Sequence, residues 1–194
     1  SGAVEDEAAG TVAIGYNALL ALTSGGKNTA VGYQSGFTLS NQSQNTLVGY
    51  DAGYTLNHAA NTMIGHFAGR LSATTEGNVF IGDYAGYGIV AGESNVIIGR
   101  ETGKNLAHAD CDNNIAIGKA AMGGGDASTT TNNTSQDCVA IGHQALKGGS
   151  PLTSDGIVAV GYQALTSLTS GAGNTAVGFE SQATAQDQGD FNTS

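Results

Sequence analysis

The sequence predicts an all-β fold, a parallel β-solenoid or β-roll of about ten coils with a period near 17 residues, on the strength of three observations. First, an apolar pair followed by glycine recurs with anchors at Gly15, Gly32, Gly49, Gly65, Gly82, Gly99, Gly118, Gly142, Gly161 and Gly178. Second, successive anchors are 17, 17, 16, 17, 17, 19, 24, 19 and 17 residues apart. Third, the strongest copies, NTAVGYQSG (28–36), NTLVGYDAG (45–53), NTMIGHFAG (61–69) and NVFIGDYAG (78–86), hold the same residue types at the same phase. Such a period marks a unit that buries its apolar face only against the next copy. Glycine makes up 31 of 194 residues, but its placement at one phase excludes a disordered chain.

Within each repeat the strand comes first. Runs such as TVAIG, NTLVG and NVIIG carry β-branched residues one and three places before the anchor. These two positions share a face of a strand, and Val or Ile at nearly every coil is read as an inner core column. The residue between them then points outward: Ala13, Ala30, Leu47, Met63, Phe80, Ile97, Ala116, Ala140, Ala159 and Ala176. This column is apolar too, and strands apolar on both faces are covered on both. The expected cover is another copy of the chain. The anchor glycine shares the outward parity, where a missing side chain allows close backbone approach.

A tight corner follows three places after each anchor, at Ala18, Ser35, Ala52, Ala68, Ala85, Thr102, Ala121, Ala145, Ala164 and Ser181. Gly36, Gly53, Gly69, Gly86 and Gly103 come next in five coils. Leu22, Leu39, Leu56, Ile89, Leu106 and Leu168, with Leu71 one place early, predict a second interior column. Polar, turn-rich segments such as TSGGKN close the coil. Asn28, Asn45, Asn61, Asn78, Asn95, Asn114 and Asn174 stand at the strand entry, where asparagine suits the corner and can bond to neighbouring turns. Ten coils at about 4.8 Å each give a rod of about 48 Å. Residues 1–10 read as a cleaved-tag remnant and lead-in, 11–182 as the array with enlarged coils over 100–160, and 183–194 as an exit segment toward a tip, neck or excised C-terminal domain.

The formal net charge is −10, with six Lys and Arg scattered singly, which excludes nucleic acid as a partner. No run of about 18 apolar residues is present, so membrane insertion is not expected. Cys111 and Cys138 fall in the irregular part of the array, either as a disulfide between coils or as buried thiols.

The NTAVGYQAL-type repeat, seen in NTAVGYQSG, VGYQALTSLTSG (160–171) and AIGYNALLALTSG (13–25), resembles repeats of trimeric phage tail fibres and related bacterial surface fibres. It is also similar to the SVAIG coils in the head domains of trimeric autotransporter adhesins. The resemblance spans roughly 11–182 and is least regular over 104–157. It implies a left-handed parallel β-roll assembled as a homotrimer, extracellular on a virion or cell, that displays receptor-binding features. The outward column, chiefly Leu47, Met63, Phe80 and Ile97, is then the candidate trimer interface.

The residue after each anchor forms a column reading Tyr16, Tyr33, Tyr50, His66, Asp83, Arg100, Lys119, His143, Tyr162 and Phe179. It is read either as a ligand surface or as an aromatic and ion-pair ladder with Asp83 beside Arg100. Enlarged coils place loops on one side of a rigid scaffold. Their residues His108, Asp110, Asp112, Asp126, Asn132, Asn133 and Lys147 are candidate receptor contacts, the receptor being a surface glycan. Asp110, Asp112 and Asn114 open like a calcium loop, but Ile115 and Ala121 stand where that loop needs glycine and glutamate, so no metal is assigned. No cofactor motif and no nucleophile or zinc motif is present, and the chain is not expected to be an enzyme. The enzyme alternative is a tail-spike-like glycosidase using Asp83 with Glu101, or Asp110 with Asp126. A purely structural shaft is the second alternative. Ice binding is disfavoured, since threonine sits mainly on the face read as the core.

Overall fold

The computed structural model describes residues 9–106, 111–123, 134–148, 155–184 and 193. Among the described residues ten strands each end just before one of the ten anchors: β1 (Val12–Ile14), β2 (Thr29–Val31), β3 (Thr46–Val48), β4 (Thr62–Ile64), β5 (Val79–Ile81), β6 (Val96–Ile98), β7 (Ile115–Ile117), β8 (Val139–Ile141), β9 (Val158–Val160) and β10 (Thr175–Val177). They form one parallel sheet in sequential order, so the chain is a β-solenoid, and each coil is numbered here by its strand. The register is unbroken: Leu47 pairs with Met63, Met63 with Phe80, and Phe80 with Ile97. Among the described residues there is no helix. The parallel pairing is taken up again beyond residue 182, where Thr193 bridges to Thr175.

The two strand faces are reversed from the expectation. Leu47, Met63, Phe80 and Ile97 are completely buried inside their own chain and cannot be an interface column. The flanking Val, Ile and Thr residues, read above as core, point outward and are half-buried or exposed. Uniform β-branching reports a pleated, half-buried surface as readily as a core. The size variation of the middle column has its own physical cause inside the coil.

That cause lies four places after each anchor. Where the middle residue is alanine, as in Ala116, Ala140 and Ala159, the facing position holds buried Met122, Leu146 and Leu165. Where it is large, the facing position is glycine: Leu47 faces Gly53, Met63 faces Gly69, Phe80 faces Gly86, and Ile97 faces Gly103. A Cβ added at Gly86 would stand 2.7 Å from the Phe80 ring. Coil 2, where Ala30 and Gly36 are both small, is filled by Leu19 and Leu47 from the coils on either side, and in the other coils named the two columns fill the slot in a complementary way.

The second interior column follows the expectation at Leu39, Leu56, Ile89, Leu106 and Leu168, all completely buried, while Leu22 packs against the cluster from its edge. Coil 4 departs from it. Ser72 keeps the phase and is buried, leaving Leu71 half-buried on the outside.

The anchor glycine also needs reassignment. At Gly82, φ is +135°, and an added Cβ would stand 2.7 Å from the carbonyl carbon of Gly99. The close approach is between successive coils of one chain, not between chains. The asparagines form the predicted ladder in the interior: Asn78 Oδ1 accepts the Asn95 amide at 2.8 Å and its side-chain nitrogen at 3.0 Å. Asn78 Nδ2 donates to the Gly92 carbonyl at 2.9 Å, which ties the closing turn of the next coil to the strand entry.

The enlarged coils leave the sheet intact, with β6 to β9 paired without a slip. Residues 107–110, 124–133 and 149–154 of these coils lie outside the described residues.

Candidate functional site

Two columns on the outside of the rod carry side-chain chemistry. The first follows the anchors directly. Tyr16, Tyr33 and Tyr50 stack with centroids 5.3 and 4.9 Å apart, and His143, Tyr162 and Phe179 stack at 5.4 and 5.0 Å. The coil repeat imposes this stacking, since rings at equivalent places lie one strand spacing apart. Each inner ring has its faces covered by its neighbours and offers only an edge outward. Desolvation raises the Tyr33 hydroxyl pKa, with Tyr50 and Tyr16 adding to the effect.

Between the stacks lies the charged centre. Asp83 bonds His66 Nδ1 at 2.8 Å through one oxygen and faces Arg100 Nε at 3.7 Å through the other. Arg100 Nη2 stands 3.5 Å from Glu101, which in turn faces Lys104 at 3.9 Å. The expected Asp83–Arg100 neighbourhood is therefore present. Asp83 and Glu101, the carboxylates considered for glycoside hydrolysis, share Arg100 as their ion-pair partner.

The second column was missed from the sequence. Five places after the anchors stand Phe37, Tyr54, Arg70, Tyr87 and Lys104 in coils 2 to 6, with Asp51, Phe67 and Tyr84 beside them, two places after their anchors. Phe37 stacks on Tyr54 at 4.9 Å. The Arg70 guanidinium lies 5.1 Å from the Tyr54 ring and 5.2 Å from the Phe67 ring, and the Lys104 ammonium lies 4.7 Å from the Tyr84 ring. Arg70 Nε donates to Asp51 Oδ2 at 3.0 Å, and that hydrogen bond is the main reason the guanidinium pKa is raised. Asp51 is 4% exposed, and its Oδ1 has no hydrogen-bond partner among the described residues. Reading the repeat down its fifth place would have revealed this alternation of rings and cations.

Of the candidate receptor contacts, His108, Asp110, Asp126, Asn132 and Asn133 lie outside the described residues, as does the Asp110–Asp126 pair. Asp112 accepts the Glu93 amide at 2.8 Å and so serves an inter-coil bond. Lys147 is half-buried at the fifth place of coil 8, in line with Arg70 and Lys104. Asn114 cannot serve a calcium loop, because its side chain is spent in the ladder on Asn95, Ser135 and the Cys138 amide. No cluster of three metal-ligating side chains occurs among the described residues. Cys138 takes the asparagine place in coil 8, with Sγ accepting the Ile157 amide at 3.4 Å. Burial pushes its thiol up to about 12.

Among the described residues no helix is long and apolar enough to cross a membrane. No protein-family model, curated protein or solved structure matches the chain.

Proposed function

We propose that this chain is a segment of a trimeric extracellular fibre or adhesin, a left-handed β-solenoid acting as a rigid head or shaft for cell-surface attachment. The observation that supports it is the outward sheet face. Both outward positions of all ten strands are Val, Ile or Thr. Ile64 and Ile117 are each 36% exposed and Ile141 is 37% exposed, away from either end of the rod. A face about 48 Å long and about 10 Å wide presents roughly 500 Å². That equals the largest apolar patch of an ordinary monomer, and the adjoining ring column extends it toward the roughly 800 Å² per partner of a stable interface. A parallel sheet face of this kind is normally covered. A second and third copy offer the same flat, evenly spaced rows.

Sedimentation tests the assembly. The expected result is a trimer that Ile64→Asp together with Ile98→Asp converts to a folded monomer, while a stable wild-type monomer at micromolar concentration would sink the proposal. With the faces reversed, Thr29, Thr46 and Thr62 point outward in successive coils, an arrangement that ice binding would use. The other strands place Val or Ile there except β10, and thermal hysteresis in the folded protein would favour the ice reading over the interface. Release of oligosaccharide from bacterial surface polysaccharide would favour the glycosidase alternative, for which Asp83 and Glu101 are the described carboxylates.

A further inference from the structure

Building on the attachment reading, we propose that one corner of the rod is a binding row for a linear acidic polysaccharide lying parallel to the rod axis, held by Arg70, Lys104 and Lys147. These three cations stand at the fifth place after the anchor in coils 4, 6 and 8, so they recur on every second coil of one column. They are half of the six Lys and Arg in the chain. Alternate coils are about 9.6 Å apart, close to the length of one disaccharide in an extended sugar chain. A polysaccharide with one carboxylate per disaccharide presents its charges at the same period.

Arg70 and Lys104 are also held in place. Each lies over an aromatic ring, which fixes the cation while leaving it partly open to solvent. Tyr87 stands in the coil between Arg70 and Lys104, and Tyr54 in the coil before Arg70, where ring edges supply apolar contact to the sugars. The fold does not require this composition, because the same column holds Leu20, Gly123 and Thr166 in other coils. Nor does it require Asp51, whose place is taken by Gln34, Gln144 and Gln163 elsewhere. A buried carboxylate with one oxygen unpartnered is destabilising, and its evident effect is to pin Arg70 through the 3.0 Å bond. Destabilising groups retained on an otherwise regular scaffold are expected where function demands them.

Two carboxylates adjoin the row, Asp51 at 3.0 Å from Arg70 and Glu101 at 3.9 Å from Lys104, and offset part of its charge. Glu76, Glu93, Asp112 and Asp155 stand together six places before their anchors, at a different corner of the coil. Their field is screened over about 8 Å at physiological salt.

The test measures binding of the intact chain to hyaluronan, which carries one carboxylate on every second sugar, with dextran and poly-glutamate as controls. Hyaluronan alone is expected to bind, more weakly as salt rises, with affinity lowered about tenfold by Lys147→Gln. Exchanging neighbours in the column, Tyr87→Lys with Lys104→Tyr, preserves charge and ring count but breaks the alternate spacing. This variant is expected to lose as much affinity as Lys104→Gln, whereas Lys27→Gln and Lys119→Gln, off the column, leave it unchanged. The inference is overturned if wild type ignores hyaluronan, if the exchange variant binds normally, if Lys27→Gln weakens binding equally, or if poly-glutamate binds as well. A normal trimer that ignores hyaluronan defeats this inference alone, and a monomer that binds it defeats only the trimeric reading.

Discussion

Replacing Phe80 with alanine and Gly86 with leucine converts coil 5 to the pattern of coils 8 and 9, where Ala140 faces Leu146 and Ala159 faces Leu165. Phe80→Ala alone removes a completely buried ring, for a loss of about 3–5 kcal/mol. Gly86→Leu alone drives a side chain into that ring, 2.7 Å from the added Cβ, and overpacking of this kind destabilises by about 1–3 kcal/mol. It also places a non-glycine residue at φ +58°, adding about 1–2 kcal/mol. The backbone tolerates leucine there, since Leu146 and Leu165 have φ of 47° and 51°. Together the two changes should therefore destabilise far less than their sum, with a coupling of about 3 kcal/mol. Full recovery is not expected, because the Phe80 ring also reaches to 3.0 Å from the Cβ position of Gly69 in coil 4. Urea unfolding at one fixed protomer concentration supplies the four stabilities, since association shifts the apparent value. Additivity within about 0.5 kcal/mol would refute complementary filling of the two columns.

Gly82→Val should abolish folding of the chain itself, because the new side chain meets the Gly99 carbonyl at a φ of +135°; a folded monomer by circular dichroism would instead restore the glycine column to a role between chains. Asn78→Ala strips partners from the Asn95 amide and the Gly92 carbonyl, and a loss of about 2–4 kcal/mol in urea unfolding is expected; a change under about 0.5 kcal/mol would show that the ladder is ornamental. For Cys138 the thiol pKa rises on folding from 9.0 to about 12, so the protonated native state is favoured, and the stability it contributes is present below pH 9 and lost as pH climbs toward 12. Cys138→Ala should flatten that part of the stability profile, and an unchanged slope would count against burial as the cause.

The period was legible because stacking constrains the backbone at every coil, so Gly82, Asn78 and Ala85 report it without any tertiary information. The two leucine-rich and asparagine columns were legible for the same reason. Face assignment failed at Phe80 and its column because strands of three residues carry no run long enough to fix parity. The facing residue four places beyond the anchor then decides which face can accept bulk, and Gly86 was read only as a turn glycine. The row through Arg70 and Lys104 was missed because its members differ chemically, so it emerges only when equivalent places are compared as neighbours in space. Ser72 shows the reverse hazard, in which hydrophobicity at Leu71 outweighed phase.

The paired variation of Phe80 and Gly86 has a consequence for assembly. Nearly identical repeats invite one copy to exchange coils with another at the wrong level, a characteristic hazard of repeat proteins. Here the interior gives each level a shape of its own: alanine with leucine in coils 8 and 9, large residues with glycine in coils 3 to 6, and Gly36 lodged between Leu19 and Leu47 where the pattern changes. Phe80 stacked beside Leu146 of a foreign copy would find the slot already full. The interior therefore works as an address, rejecting misplaced neighbours by volume while the backbone register alone would accept them.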